Sequence, residues 1–205
     1  MNNELWSLET KKIFNGILLF SLSWIAYGIF DPIESLFSGI DTLSSFGGSS
    51  SPTGAAGTVL SVICYILLAG IGAGYVLTIK GLKSFGNILE EADGKSVDSV
   101  RKAFILALIA VALDCLPFIP GIVGDIVYLI AVIMMLMGYG ALKKSSTFAG
   151  SKGAATLYIA ALLIVIGWAL DFIPLVGDWL EGLLTIIAYV LTLLGWGKIK
   201  NAEAS

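Results

Sequence analysis

The run AFILALIAVAL, residues 103–113, decides the fold class. Its residues are all apolar, so it lacks the alternation over about ten residues that a β-barrel span shows. Continued to Ile119, it is one of six such segments. The others are 13–30, 58–79, 126–142, 154–170 and 182–197. At about 1.5 Å per residue, spans of this size reach roughly 24–33 Å, close to the bilayer core of about 30 Å. The chain therefore reads as an all-α polytopic integral membrane protein with six transmembrane helices.

Composition agrees. Of 205 residues, 57% are hydrophobic, before 24 glycines are counted, and the mean hydropathy is +0.93. Charged residues make up 13%, against about 25% in soluble domains. One soluble core cannot hide that much apolar surface. There is no histidine, which excludes histidine-based triads, metal sites and proton switches. Cys64 and Cys115 lie far apart in apolar context, with no C-x-x-C spacing, and read as small buried residues. The first apolar run is 18 residues long, follows Lys11 and Lys12 with Glu4 and Glu9 nearby, and has no A-x-A site after it. It reads as a retained span, not a secretory leader.

The placement of charge sets an orientation. With six spans, all twelve Lys and Arg residues fall on one side. The other side holds Asp31, Glu34, Asp41, Asp114, Asp125, Asp171, Asp178 and Glu181 and no positive charge. The positive-inside rule then predicts cytoplasmic termini in a bacterial or archaeal cytoplasmic membrane. Trp24, Trp168 and Trp179 fall near outer span ends and Trp6 and Trp196 near inner ones, as an interfacial belt predicts.

The spans group into one membrane domain of three hairpins, approximately 11–80, 101–144 and 152–200. The second and third repeat each other. Phe118-Ile119-Pro120-Gly121-Ile122-Val123-Gly124-Asp125 matches Phe172-Ile173-Pro174-Leu175-Val176-Gly177-Asp178 with one deletion, and Gly138-Tyr139-Gly140 matches Gly195-Trp196-Gly197. The gap between the two motifs differs by four residues, about one helical turn. The first hairpin shares only Asp31-Pro32-Ile33. In the connection 31–57, Asp31 at N-cap, Pro32 at N1 and Glu34 at N3 predict a new short helix on the outer surface. Residues 44–57 form a low-complexity, flexible stretch. The connection 80–102 carries Leu82, Phe85, Ile88, Leu89 and Ala92 at helical spacing and either extends the second helix or lies along the inner leaflet.

The candidate functional residues are acidic. Asp125 and Asp178 each follow Val-Gly and read as helix N-caps, with Asp178 and Glu181 forming a capping box. The functional alternative is an acidic outer mouth that concentrates cations or accepts a basic partner. Only 11 residues separate Asp114 from Lys102, which puts it about 16 Å into the span. It either lines a polar cavity or ends its helix early, since Pro117 and Pro120 follow. Asp171, in the third hairpin, stands a full span away from Lys152. Gly70, Gly72 and Gly74 form a small-residue face for close helix packing. The strings around Ile-Pro-x-Val-Gly-Asp are similar to turns in bacterial membrane-protein domains of unassigned activity and imply none. The aspartates resemble the Gly-x-Gly-Asp motif of intramembrane aspartyl proteases only in part, because the glycine spacing differs: Gly121 stands four before Asp125 and Leu175 occupies the other repeat. No phosphate-binding, dinucleotide or metal-ligand pattern occurs, so no cofactor is implied.

The predicted function is non-enzymatic: an accessory, scaffold or protective membrane protein acting through helix packing and acidic outer loops. The rival is a small oligomeric channel or transporter using Asp114, with an intramembrane aspartyl protease a remote third. The partners implied are the lipid bilayer and either a second copy or another membrane protein, not nucleic acid.

Overall fold

A computed structural model shows six helices: α1 (Asn3–Phe46), α2 (Gly54–Gly86), α3 (Glu91–Asp114), α4 (Gly121–Leu142), α5 (Ser151–Asp171) and α6 (Gly177–Lys200). The structure describes residues 3–46, 54–114, 116, 118–171, 173 and 177–202, and there is no strand among them. Side chains at 38, 39, 41–46, 54, 55, 114, 171 and 177–179 lie outside that description, as does most of the glycine- and serine-rich stretch 44–57.

Successive helices run antiparallel and each packs on its neighbours in the chain. α1 also packs on α6, which closes a ring. No helices across the ring approach within 8 Å between Cα atoms among the described residues. The tightest pairs are α1 with α2, α3 with α4 and α5 with α6, the three hairpins of the sequence. Alternating direction brings every lysine-bearing helix end together. At that end Trp6 Nε1 donates to the Ile199 carbonyl (2.9 Å) and Thr147 Oγ1 donates to Asp93 Oδ2 (2.7 Å).

Five helices are long and apolar enough to cross a membrane. The exception is α3, whose first three turns carry Glu91, Asp93, Lys95, Asp98, Arg101 and Lys102 ahead of the apolar run 103–113. Outward-facing residues are apolar, such as Leu22, Tyr65, Ile66, Met137 and Ile159, all exposed. That is the surface a lipid environment accepts and water does not.

Several boundaries differ from those read in the sequence. α1 does not stop at Asp31: it runs through Pro32 to Phe46, so the separate outer helix is not formed. Proline removes one backbone donor, the one that would serve the Gly28 carbonyl. Ser61 Oγ donates to Glu34 Oε1 (2.6 Å), tying the continued helix to α2. In the connection 80–102, α2 extends to Gly86 and α3 takes over at Glu91 after a tight turn. Asp125 is not an N-cap. Proline's fixed φ starts α4 earlier, with Pro120 at the cap (φ −60°) and Val123 N–H bonded to its carbonyl at 2.9 Å.

Two of the tryptophans do not face outward. Trp6 and Trp196, at the lysine-bearing end, are each 1% exposed. Trp6 packs on Phe85 (ring centroids 4.9 Å apart) and Phe148 (5.6 Å). Mid-ring, Phe20 stacks on Tyr75 at 4.8 Å and meets Phe104 at 5.9 Å and Tyr189 at 6.3 Å. Aromatic rings therefore fill the axis of the bundle at two levels.

Burial follows the interval that separates Gly138-Tyr139-Gly140 from Gly195-Trp196-Gly197, and not the one that separates Asp125 from Asp178. On α2, α4 and α6 the buried sets Gly74, Ala131, Ala188; Tyr75, Val132, Tyr189; Gly81, Gly138, Gly195; and Phe85, Leu142, Ile199 are each spaced 57 residues apart. On α3 and α5 the same interval joins Val97 to Ala154, Val100 to Leu157 and Ala103 to Ala160, all buried. Thr10, Ile13 and Gly16 of α1 are buried at the corresponding places, 87 residues before their α3 counterparts. Ring-facing chemistry repeats too: Lys143 Nζ lies 3.3 Å from the Tyr158 ring centroid, and Lys200 Nζ lies 4.5 Å from that of Phe14. In this register Asp125 stands level with Gly182, one residue from Glu181, and not with Asp178.

The small-residue face of α2 packs unevenly. A Cβ on Gly74 would sit 2.5 Å from the Phe20 backbone nitrogen. One on Gly70 would sit 2.5 Å from Ser23 Oγ, and one on Gly72 would meet nothing within 4 Å. Gly70 and Gly74 form the contact with α1, and Gly72 takes no part in it.

Candidate functional site

The 57-residue register brings two carboxylates together. Asp125 lies in the second turn of α4 and Glu181 in the second turn of α6. Both line a cavity of about 460 Å³ between α1, α3, α4, α5 and α6 at the acidic end of the ring. Trp24, Ile25, Gly28 and Ile29 supply the α1 wall, Ala110 and Val111 that of α3, and Ile164 and Trp168 that of α5. Gly28 is also the residue whose carbonyl loses its usual helical donor at Pro32.

The cavity narrows inward. Tyr189 lies eight residues beyond Glu181, about 12 Å deeper along α6. It also lines a void of about 30 Å³ on the ring axis, together with Phe20, Tyr75, Phe104 and Tyr139. The cavity is thus a vestibule: carboxylates at the mouth, aromatic and aliphatic walls, and a floor of packed rings. Its lining includes no lysine or arginine.

Of the acidic residues singled out in the sequence, Asp125 and Glu181 meet at the vestibule. Asp114 ends α3, Asp171 ends α5 and Asp178 is the second residue of α6, but their side chains lie outside the described residues. Trp24, Trp168, Tyr128, Thr185 and Tyr189 were missed as site residues. Helical spacing would have found three of them: Tyr128 is one turn from Asp125, while Thr185 and Tyr189 lie one and two turns from Glu181. Cys64 is buried in α2, and Cys115 lies outside the described residues. No cluster of three metal-ligating side chains occurs among the described residues.

Such a site selects by charge and shape. Two carboxylates with low-dielectric walls around them raise the local concentration of cations, and aromatic faces attract a cation's edge or apolar body. A volume of this size lies within the usual range for small-ligand pockets, about 300–1,000 Å³. The chain matches no known family model, curated protein or solved structure.

Proposed function

We propose that the protein is a non-enzymatic membrane transporter that admits a small positively charged solute into the vestibule between α1, α4 and α6. One observation carries this reading: the cavity lies inside the ring, not between its outer faces, and its polar rim is carboxylate. A scaffold has no need of an internal, one-sided vestibule. The carboxylates we assign to the task are Asp125 and Glu181, in place of Asp114. The packed rings of Phe20, Tyr75, Phe104 and Tyr189 hold the axis shut in this conformation, so passage requires them to part.

The three hairpins are, in this reading, three copies of one unit, which the shared burial interval supports. The lysine-bearing end with both termini faces the cytoplasm, and the vestibule faces outward. The test is uptake into liposomes holding the purified protein, with a panel from sodium to tetraalkylammonium and aryl-ammonium ions. Selective uptake is expected, and Asp125→Asn with Glu181→Gln together should reduce its apparent affinity by about tenfold or more. Absence of flux for every cation, or an unaffected double variant, refutes the proposal.

A further inference from the structure

A second concavity lies at the opposite end and on the outside of the ring. It is a groove of about 1000 Å³ where α1 meets α6 and the first turn of α5. Lys152, Lys198 and Lys200 stand around one end of it, and Leu18 and Leu194 line the other, both exposed. Leu194 lies one turn, about 6 Å, along α6 from Lys198. The groove thus grades from cationic at the helix ends to apolar along the span, in the direction a lipid molecule grades from headgroup to chain.

The lysines are poised for an external anion. Lys12, Lys95, Arg101 and Lys102 each meet a carboxylate within 2.9 Å. Lys152, Lys198 and Lys200 have no carboxylate within ion-pair distance among the described residues. Lys198 donates to Thr156 Oγ1 (3.0 Å), and Lys200 lies over the Phe14 ring. Both contacts orient an ammonium without neutralising it. Among the described residues no carboxylate lines the groove.

The equivalent seam between α4 and α5 shows that this concentration is local. There, Ala141 occupies the place of Lys198, and Lys95, the counterpart of Lys152, is tied to Glu91 at 2.6 Å. Lys143, the counterpart of Lys200, keeps its place over Tyr158, so one of the three positions is an unpaired cation there and all three are at the seam between α1 and α6.

We infer that this groove is a binding site for an anionic phospholipid of the surrounding bilayer, its phosphate held by Lys152, Lys198 and Lys200 and its chains lying along Phe14, Leu18 and Leu194. The lipid bridges α1 and α6 and so reinforces ring closure. This inference is independent of the vestibule and of what enters it.

The experiment is native mass spectrometry of the detergent-solubilised protein titrated with phosphatidylglycerol, with phosphatidylcholine and with glycerol phosphate. Phosphatidylglycerol is expected to stay bound where the other two do not. A Lys near an anionic lipid surface contributes about fivefold in affinity, so K152Q/K198Q/K200Q should weaken phosphatidylglycerol binding roughly 100-fold. The matched variant K80Q/K83Q/K144Q removes three cations from the same end but outside the groove, and should bind as the unaltered protein does. Equal retention of phosphatidylcholine, binding of glycerol phosphate as tight as that of the lipid, or equal losses in the two variants would each overturn the inference.

Discussion

Close approach of α1 and α2 sets up a graded test within five residues. Alanine at Gly74 would bring its Cβ to 2.5 Å from the Phe20 nitrogen, 2.7 Å from the Phe20 Cβ and 2.8 Å from the Gly16 carbonyl. These are mostly backbone atoms, so the helices themselves must separate by about 1 Å to restore ordinary contact. Forced separation of a packed interface costs about 1–3 kcal/mol. At Gly70 the obstacle is Ser23 Oγ, a hydroxyl free to turn, and the cost should stay below about 1 kcal/mol. At Gly72 nothing lies within 4 Å, so alanine should be neutral or stabilising by up to about 1 kcal/mol through helix propensity. Equilibrium unfolding in mixed micelles of dodecyl maltoside and dodecyl sulfate, followed by tryptophan fluorescence, measures the three variants. The expected order of stability is Gly72→Ala, then Gly70→Ala, then Gly74→Ala. If Gly74→Ala were as stable as Gly72→Ala, the packing account of this face would fail.

Two further outcomes are expected. Trp6→Phe removes the donor to the Ile199 carbonyl and should lower stability by about 1–2 kcal/mol, with faster hydrogen exchange in the last turn of α6; unchanged exchange there would contradict the bridging role. Asp98 is the subject of the second. Hydrogen bonds from Lys102 and Arg101 hold its carboxyl below the usual aspartate range. Its contribution to stability is therefore complete above the unfolded-state pKa, about 4, and is lost as pH falls through the lowered folded-state value. Asp98→Asn should flatten that part of the stability profile below about pH 4. An identical acid limb in wild type and variant would show that the pair contributes nothing.

The helices were legible because apolar runs bounded by lysines are a coarse and redundant signal. The hairpin pairing was legible for the same reason, since short connections leave few alternatives. The continuation of α1 was not. Asp31-Pro32-Ile33-Glu34 carries the marks of a helix start, and the same residues fit inside a helix once one donor is forgone. The repeat was read half in register. Gly138-Tyr139-Gly140 and Gly195-Trp196-Gly197 fall on the burial interval, but Asp125 and Asp178 stand one turn apart in it. Leu82, Tyr139 and Trp196 are equivalent buried positions filled by three different side chains. Packing of that kind keeps space and not identity, so letter matching found the second and third copies at the glycines and passed over the first. The vestibule was half legible: its carboxylates were named, but its walls depend on which faces of five helices converge, and no single segment records that.

The bond from Trp6 to Ile199 joins residues 193 positions apart. A chain made at about 5–20 residues per second must therefore wait roughly 10–40 s between the emergence of α1 and the arrival of the helix it closes against. The two helices of a hairpin are made in succession, whereas α1 and α6 meet only after the four helices between them have been made. Until α6 is made, the flank of α1 that packs on it has no partner among the described helices, and the final turn of α6 is the segment whose arrival completes the enclosure.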